Sequence, residues 1–255
     1  MILAVDIGNS NILVGCVSHD KTICVENLSS DMDLSTVEYA IRIKSIMDIY
    51  GINMDDIEGC AVSSVVPQLT PVISDAVFKL LGKKPMVVGP GLKTGLNIRI
   101  DNPAQLGSSL LAYSVAALEE HEPPLIVVEM STATTFCTVN RKRQYIGGVI
   151  CAGVRTALDS LVSGAALLHQ VGIEAPQKVI GTNTADCLKS GIIYGTAACI
   201  DGVIDRIEAE MGESCTIIAT GKFAPIVTPY CKRNIIIDDG LILKGLRVIY
   251  EKNRR

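Results

Sequence analysis

A mixed α/β fold built from one module used twice is predicted by three observations in the 255-residue chain. Apolar runs of strand length alternate with longer stretches whose apolar residues recur at helical spacing. The chain opens on an apolar run that halts at Asp6, crosses Gly8-Asn9-Ser10-Asn11 and turns apolar again. After Pro123-Pro124 the opening returns: residues 125–140 carry an apolar run, Glu129, a small hydroxyl-rich turn and a second apolar run. Asp6 then falls on Glu129, the self-similarity expected of a duplicated unit.

The elements follow in order. Residues 2–6 and 12–17 read as strands around a tight polar turn, a hairpin, with a third strand over 21–28. Ser35-Thr36-Val37-Glu38 has capping-box spacing, and Val37, Ile41, Ile43, Met47 and Tyr50 make a helical stripe that stops at Gly51. Strands at 59–66 and 85–88 flank a helix over 70–81, and a further helix spans 104–120 between Pro103 and Pro123. In the second half the hairpin of 125–140 leads through a polar turn at 141–144 into a strand at 145–151. Helices over 155–169 and 184–211, a strand over 216–220 and a final helix over 241–250 complete the chain. The order βββαβαβα, repeated, is that of actin-like, ribonuclease-H-like domains, one over residues 1–118 and one over 119–255.

Composition narrows the function. The net charge is −4 and the basic residues are scattered, apart from the last few from Lys252 to Arg255, so no clustered basic face points to nucleic acid. The nine cysteines are odd in number, lack C-x-x-C spacing and sit mostly in apolar segments. They read as free buried thiols of a cytoplasmic protein and not as disulfides or a zinc site. His19, His121 and His169 show no metal spacing. No basic stretch precedes the first apolar run, and no segment offers ~20 uninterrupted apolar residues, so neither a signal peptide nor a membrane span is expected.

The two turns carry the chemistry. A hairpin turn of Gly, Ser, Asn and Thr exposes N–H groups and hydroxyls with little bulk, a concavity suited to phosphate oxygens. An aspartate at the strand end before it can hold Mg²⁺ through water, since that ion takes few protein carboxylates. Two such turns across a central nucleotide cleft would grip a polyphosphate from both sides. No G-x-x-x-x-G-K-[ST] run and no helix-opening G-x-G-x-x-G is present. Thr216–Pro225 is a strand entering a turn at Gly221, where a nucleotide can approach the backbone closely.

The chain resembles the type III pantothenate kinases of the acetate and sugar kinase, Hsp70 and actin superfamily. The likeness rests on DIGNSN at 6–11, SSVVP at 63–67, DNP at 101–103, TATT at 132–135 and GGVICAG at 147–153. It continues through IGTNT at 180–184, SGIIYG at 190–195, ATG at 219–221 and LKGLRVIYEKN at 243–253. The resemblance implies a homodimer that uses ATP, Mg²⁺ and a monovalent cation, K⁺ or NH₄⁺, to phosphorylate pantothenate, the first step towards coenzyme A. It implies a first phosphate loop of Asp6, Ile7, Gly8, Asn9, Ser10, Asn11, Ile12 and Leu13, with Asp6 positioning the metal. It assigns ATP contacts to Thr132, Thr134 and Gly221, the monovalent cation to Glu129, and pantothenate to Thr184.

One segment departs. The family's G-A-D-R falls on Gly107-Ser108-Ser109-Leu110, so Ser109 stands where the resemblance implies a catalytic aspartate and Leu110 where it implies an arginine. Ile100 replaces a tyrosine beside the pantothenate site, Glu129 replaces an aspartate, and Lys222 replaces a glycine. A serine near neutral pH cannot serve as a carboxylate base, a contribution of about 10²–10⁴ in rate. Asp101 is a nearby carboxylate, more simply read as a turn residue. Ser63-Ser64 and Ser108-Ser109 have no sequence-local partner for nucleophilic catalysis. An alternative function is a divergent paralogue with weak or no kinase activity, acting on another small alcohol or as a ligand-binding regulatory protein.

Overall fold

The computed structural model describes residues 1–19 and 21–254. Asp20, in the expected turn before the third strand, and Arg255, in the basic terminus, lie outside the described residues.

The chain divides into two compact units. The first comprises residues 1–96, 101–119 and 240–255, and the second residues 97–100 and 120–239. In the first unit β1 (Ile2–Ile7), β2 (Asn11–Val17) and β3 (Thr22–Ser29) form an antiparallel meander. Helix α1 (Thr36–Ile49) crosses to β4 (Gly59–Ser64), and α2 (Leu69–Leu81) crosses to the short β5 (Met86–Val87). Both new strands are parallel to β1, giving the order β3-β2-β1-β4-β5. The capping box holds as the sequence predicts: Ser35 Oγ accepts from the Glu38 N–H, and Glu38 Oε2 accepts from the Ser35 N–H at 2.8 Å. That satisfies two N–H groups that a helix start otherwise leaves unpaired.

The second unit repeats this plan. β7 (Leu125–Met130), β8 (Ala133–Val139) and β9 (Gln144–Ala152) are antiparallel neighbours. α4 (Val154–Gly164) and α5 (Thr184–Met211) cross to β10 (Thr216–Thr220), and the short α6 (Ala224–Val227) leads to β11 (Ile236–Ile237). Its sheet reads β11-β10-β7-β8-β9, the first sheet's order strand for strand, with β6 (Asn97–Ile98) added beyond β9. The predicted duplication is therefore present in topology and in the hand-over from antiparallel to parallel pairing.

Three boundaries differ from the sequence reading. The helix expected from 104 begins at Ser108 as α3 (Ser108–Glu120). Residues 103–105 instead form a 3₁₀ turn whose start is capped by the Asn102 side chain, which takes the Ala104 N–H. α4 stops at Gly164 and not at His169. The last helix, α7 (Leu241–Asn253), belongs to the first unit although it follows the second in sequence. Its buried Leu241, Leu243, Leu246 and Ile249 supply an apolar stripe, and Gly15 of β2 and Gly59 of β4 leave the space that Leu243 and Tyr250 occupy.

α7 also meets α3 closely, because a Cβ on Gly245 would overlap the Ala112 carbonyl. Gly245→Ala is therefore expected to lower stability by about 1–3 kcal/mol through overpacking, read as a lower midpoint in urea with the slope unchanged.

Strands 1 and 7 are the central strands of their sheets and are buried almost throughout. Leu3, Val5 and Ile7 pack with Ile43, Met47, Ile73 and Val77 of α1 and α2. Ile126 and Val128 pack with Leu158, Ile193, Ile200 and Ile204 of α4 and α5. α5 is long and apolar enough to cross a membrane by length and composition alone; its buried side chains here belong to that core. Among the described residues all nine cysteines are free, and Cys16, Cys24, Cys60 and Cys137 are buried. Burial pushes the Cys16 thiol up to about 12, which keeps it protonated and unreactive.

Candidate active site

In the first unit β1 carries an acid one residue before its end and is followed by a closed turn. Asp6 pairs with Leu13 and Ile7 with Ile12, and the Gly8 N–H donates to the Asn11 carbonyl at 3.0 Å. Gly8 is required for space, since a Cβ there would lie 2.9 Å from the same oxygen. The turn is braced from β3: the Ser30 N–H donates to the Ser10 carbonyl at 3.2 Å, and Ser30 Oγ donates to the Gly8 carbonyl at 2.5 Å. Asn9, Ser10 and Asn11 are exposed, and among the described residues the Asn9 and Ser10 N–H groups have no backbone partner. Ile7 and Ile12 are fully buried, so their side chains hold the turn to the core and only their backbone can face a ligand.

Parallel pairing sets Asp6 opposite Ser63 of β4, on one face of the sheet. The first turn of α3 reaches the same place. Ser109 Oγ donates to Asp6 Oδ1 at 2.9 Å, and Ser63 stands opposite Asp6 in the register. Ser63 Oγ also lies 2.9 Å from Ser108 Oγ and 3.0 Å from Ser109 Oγ. Burial pushes the Asp6 carboxyl above its ordinary value, and the Ser63 and Ser109 hydroxyls pull it partly back. The two serine pairs that lacked a neighbour in sequence thus meet around one carboxylate. Gly107 and Leu110 flank this cluster in sequence and are partly buried.

The second unit builds the equivalent place from other side chains. Glu129 pairs with Thr135 of β8 and with Thr220 of β10, as Asp6 pairs with Leu13 and Ser63. Glu129 is 8% exposed, and its carboxylate takes the Thr135 hydroxyl at 3.5 Å. The Ser131 N–H closes the turn onto the Ala133 carbonyl at 2.9 Å. Here too the residue after the third strand braces the turn: the Gly153 N–H donates to the Thr132 carbonyl at 3.1 Å, and Thr156 Oγ1 donates to it at 2.7 Å. Thr132 is left with an exposed side chain. Gly221, at φ +93°, lies against the end of β7, where a Cβ would come 2.7 Å from the Met130 carbonyl oxygen. Thr134 Oγ1 is buried with no hydrogen-bond partner among the described residues.

Two expected residues sit apart from this turn within the second unit. Thr184 opens α5, exposed, behind the Asn183 cap, and Ile100 follows β6 at the outer edge of the sheet. Asp101 is exposed beside the Asn102 cap. Sequence reasoning missed Ser63, Ser30 and Gly153 as site builders; the repeated position just after the third strand was the signal for the last two.

The donor sets decide which ions fit. Among the described residues no group of three or more His, Cys, Asp or Glu side chains could hold a metal. A single carboxylate at Asp6 suits Mg²⁺ that keeps its waters and takes phosphate oxygens for the rest. Glu129 and Thr135 offer hard oxygen donors, and an orphaned threonine hydroxyl lies in the next pair of the ladder.

Comparison with known proteins adds the following. The family profile described as type III pantothenate kinase matches residues 2–206. A type III pantothenate kinase from Moorella thermoacetica is 38% identical over 253 residues, covering 99% of this chain and 100% of that protein. One from Halalkalibacterium halodurans is 39% identical with the same coverage. In fold, the chain is similar to the activator of the 2-hydroxyisocaproyl-CoA dehydratase from Clostridium difficile with bound ADPNP. That match has a TM-score of 0.59 at 11% identity and covers 98% of this chain and 95% of the other.

Proposed function

The chain belongs to the type III pantothenate kinase family, and we propose that it uses the Asp6 and Glu129 turns to move the γ-phosphoryl group of ATP to the pantothenate hydroxyl. It is an ATP-dependent kinase of the coenzyme A pathway. The observation that carries the use of the turns is the repeat itself. In both sheets the central strand carries a carboxylate one residue before its end, a braced turn of small polar residues follows, and a flanking strand sets a hydroxyl residue opposite the acid.

Each residue has a distinct task in this reading. The N–H groups of Asn9 and Ser10 and the Thr132 side chain hold phosphate oxygens. Asp6 orients the waters of Mg²⁺, which when bound neutralises charge on the transferring group. Thr134 directs its hydroxyl to ligand or water, and Gly221 lets the nucleotide approach the end of β10. Glu129, with Thr135, holds K⁺ or NH₄⁺. Gly107, Ser108, Leu110, Ile100 and Thr184 are placed on the acceptor side. Phosphoryl transfer rests mainly on positioning and charge neutralisation, so serine at 109 is compatible with turnover without a carboxylate base there. The same reading makes the protein a cytoplasmic homodimer whose partners are small molecules and neither nucleic acid nor membrane, in keeping with its acidic balance.

The test is phosphopantothenate formation, followed by mass spectrometry, with ATP, pantothenate, Mg²⁺ and either K⁺ or Na⁺. Product is expected only when ATP, pantothenate and Mg²⁺ are all present, at a higher rate in K⁺, and Glu129→Gln should raise the K⁺ concentration needed. Nucleotide binding without phosphopantothenate would overturn the reading.

A further inference from the structure

We propose that Ser109, backed by Ser63, acts as a clamp that sets the orientation of the Asp6 carboxylate, which makes residue 109 a positioning residue for Asp6 in this chain. The inference rests on Asp6 serving the metal–nucleotide side as described above.

The hydrogen atoms available decide how the cluster is wired. A carboxylate only accepts, and each serine hydroxyl has one hydrogen to give. Ser109 gives its hydrogen to Asp6 Oδ1. The Ser64 N–H donates to Ser108 Oγ at 3.1 Å, which occupies a lone pair of that hydroxyl and leaves its hydrogen for Ser63 Oγ, at 2.9 Å, or the Ser64 carbonyl, at 3.1 Å. With Ser63 Oγ accepting from Ser108, its own hydrogen is free for Ser109 Oγ, at 3.0 Å. One directed chain then runs from the Ser64 amide through Ser108, Ser63 and Ser109 into the carboxylate. Chains of this kind polarise in one sense and strengthen each link.

The scaffold gives this wiring little freedom. Ser63 is 0% exposed and its place is fixed by the in-register pairing of β4 with β1. Ser108 and Ser109 are the first two residues of α3, so one helix turn carries both the relay and the direct donor. The single hydrogen of Ser109 is committed to Asp6, so an acceptor hydroxyl could meet it only as a donor. Ser109 therefore acts on the reaction through Asp6, and its loss should be felt in metal–nucleotide geometry more than in acceptor affinity.

The experiment compares wild type with Ser109→Ala, Ser63→Ala, Ser109→Thr and Asp6→Asn. Two readouts are taken: kcat with separate KM values for ATP and pantothenate, and Mn²⁺ binding to the complex with a non-hydrolysable ATP analogue, by electron paramagnetic resonance without turnover. A hydrogen bond to a charged group corresponds to roughly 10- to 100-fold, so Ser109→Ala should lose about that factor in kcat and show weakened or altered Mn²⁺ binding, with Ser63→Ala losing less. The pantothenate KM should stay within about twofold, since less than 1 kcal/mol is then at stake, and Ser109→Thr, which keeps the hydroxyl, should recover most of the loss. A rise in pantothenate KM with Mn²⁺ binding unchanged would overturn the proposal and assign Ser109 to the acceptor. So would alanine variants indistinguishable from wild type. Ser109 is partly exposed, so its alanine variant decides the matter even if Ser63→Ala does not fold. If Asp6→Asn leaves Mn²⁺ binding intact, the fault lies in the underlying role given to Asp6 and not in the clamp.

Discussion

Asp6→Asn is expected to lower kcat by roughly 10²–10³-fold while raising the melting temperature of the ligand-free protein at neutral pH. The first effect follows from the several kcal/mol that a well-placed metal supplies to developing charge, at about 1.4 kcal/mol per tenfold in rate. Asparagine keeps the shape and its Oδ1 can still accept from Ser109, so the fold should survive. The second effect follows from burial, which raises the native Asp6 pKa. Between the ordinary carboxylate value and the raised native value the folded state holds more protons than the unfolded chain, so stability falls as pH rises through that window. The cost is absent in acid and fully present above the native value. Asparagine carries no charge to desolvate and removes the cost. The gap in melting temperature between variant and wild type should therefore open as pH rises above the ordinary aspartate value of about 4. An asparagine variant that melts lower than wild type across that range would show that the clamp, and not the buried charge, dominates stability here. Saturating MgATP should reverse the order, because only the wild type gains the full linkage to bound ligand.

The two parts of this site were unequally legible in the sequence. The turn after β1 and its copy after β7 could be read directly. Alternating apolar residues mark each strand, and a lone carboxylate against a small polar run marks each turn. The sheet orders confirm the doubling they suggested. Ser63 could not be read in that way. Its role depends on β4 lying parallel to β1 with residue 63 opposite residue 6, a register created by the α1 crossover and invisible in a local pattern. The search for a sequence neighbour of the serine pairs failed because their shared partner is a carboxylate 57 and 103 residues away, as the Asp6–Ser63 register and the Ser109 bond show. Pro103 misled the start of α3. Proline suits the first position of a helix, but here it opens a 3₁₀ turn and the chain leaves helical geometry at Leu106 before Ser108 begins α3. α7 could be recognised by its stripe but not placed, since packing and not chain order decides which sheet an apolar face covers.

Gly153→Ala should damage the turn after β7. The backbone of Gly153 is ordinary, with φ −71° and ψ 162°, so a side chain is excluded by space and not by conformation. A Cβ there would overlap the carbonyl oxygens of Ser131 and Thr132, the two residues that make the turn after β7. Both atoms are backbone and cannot swing aside as a side-chain tip would. The turn, or the start of α4, must shift, and the Gly153–Thr132 hydrogen bond lengthens or breaks. Overpacking of this kind costs about 1–3 kcal/mol. If half of that appears as misplaced phosphate contacts, the KM for ATP should rise roughly 3- to 10-fold, with kcat falling as well because the transferring group is no longer held in line. Gly164→Ala is the matched control. It sits at the end of the same helix, a Cβ there meets nothing within 4 Å, and alanine is the better helix former. That variant should be neutral to slightly stabilising, with both KM values unchanged. Equal effects from the two substitutions would mean that α4 as a whole, and not the brace at its first residue, governs the turn. Damage confined to Gly153→Ala would tie the geometry of the nucleotide side to one missing methyl group.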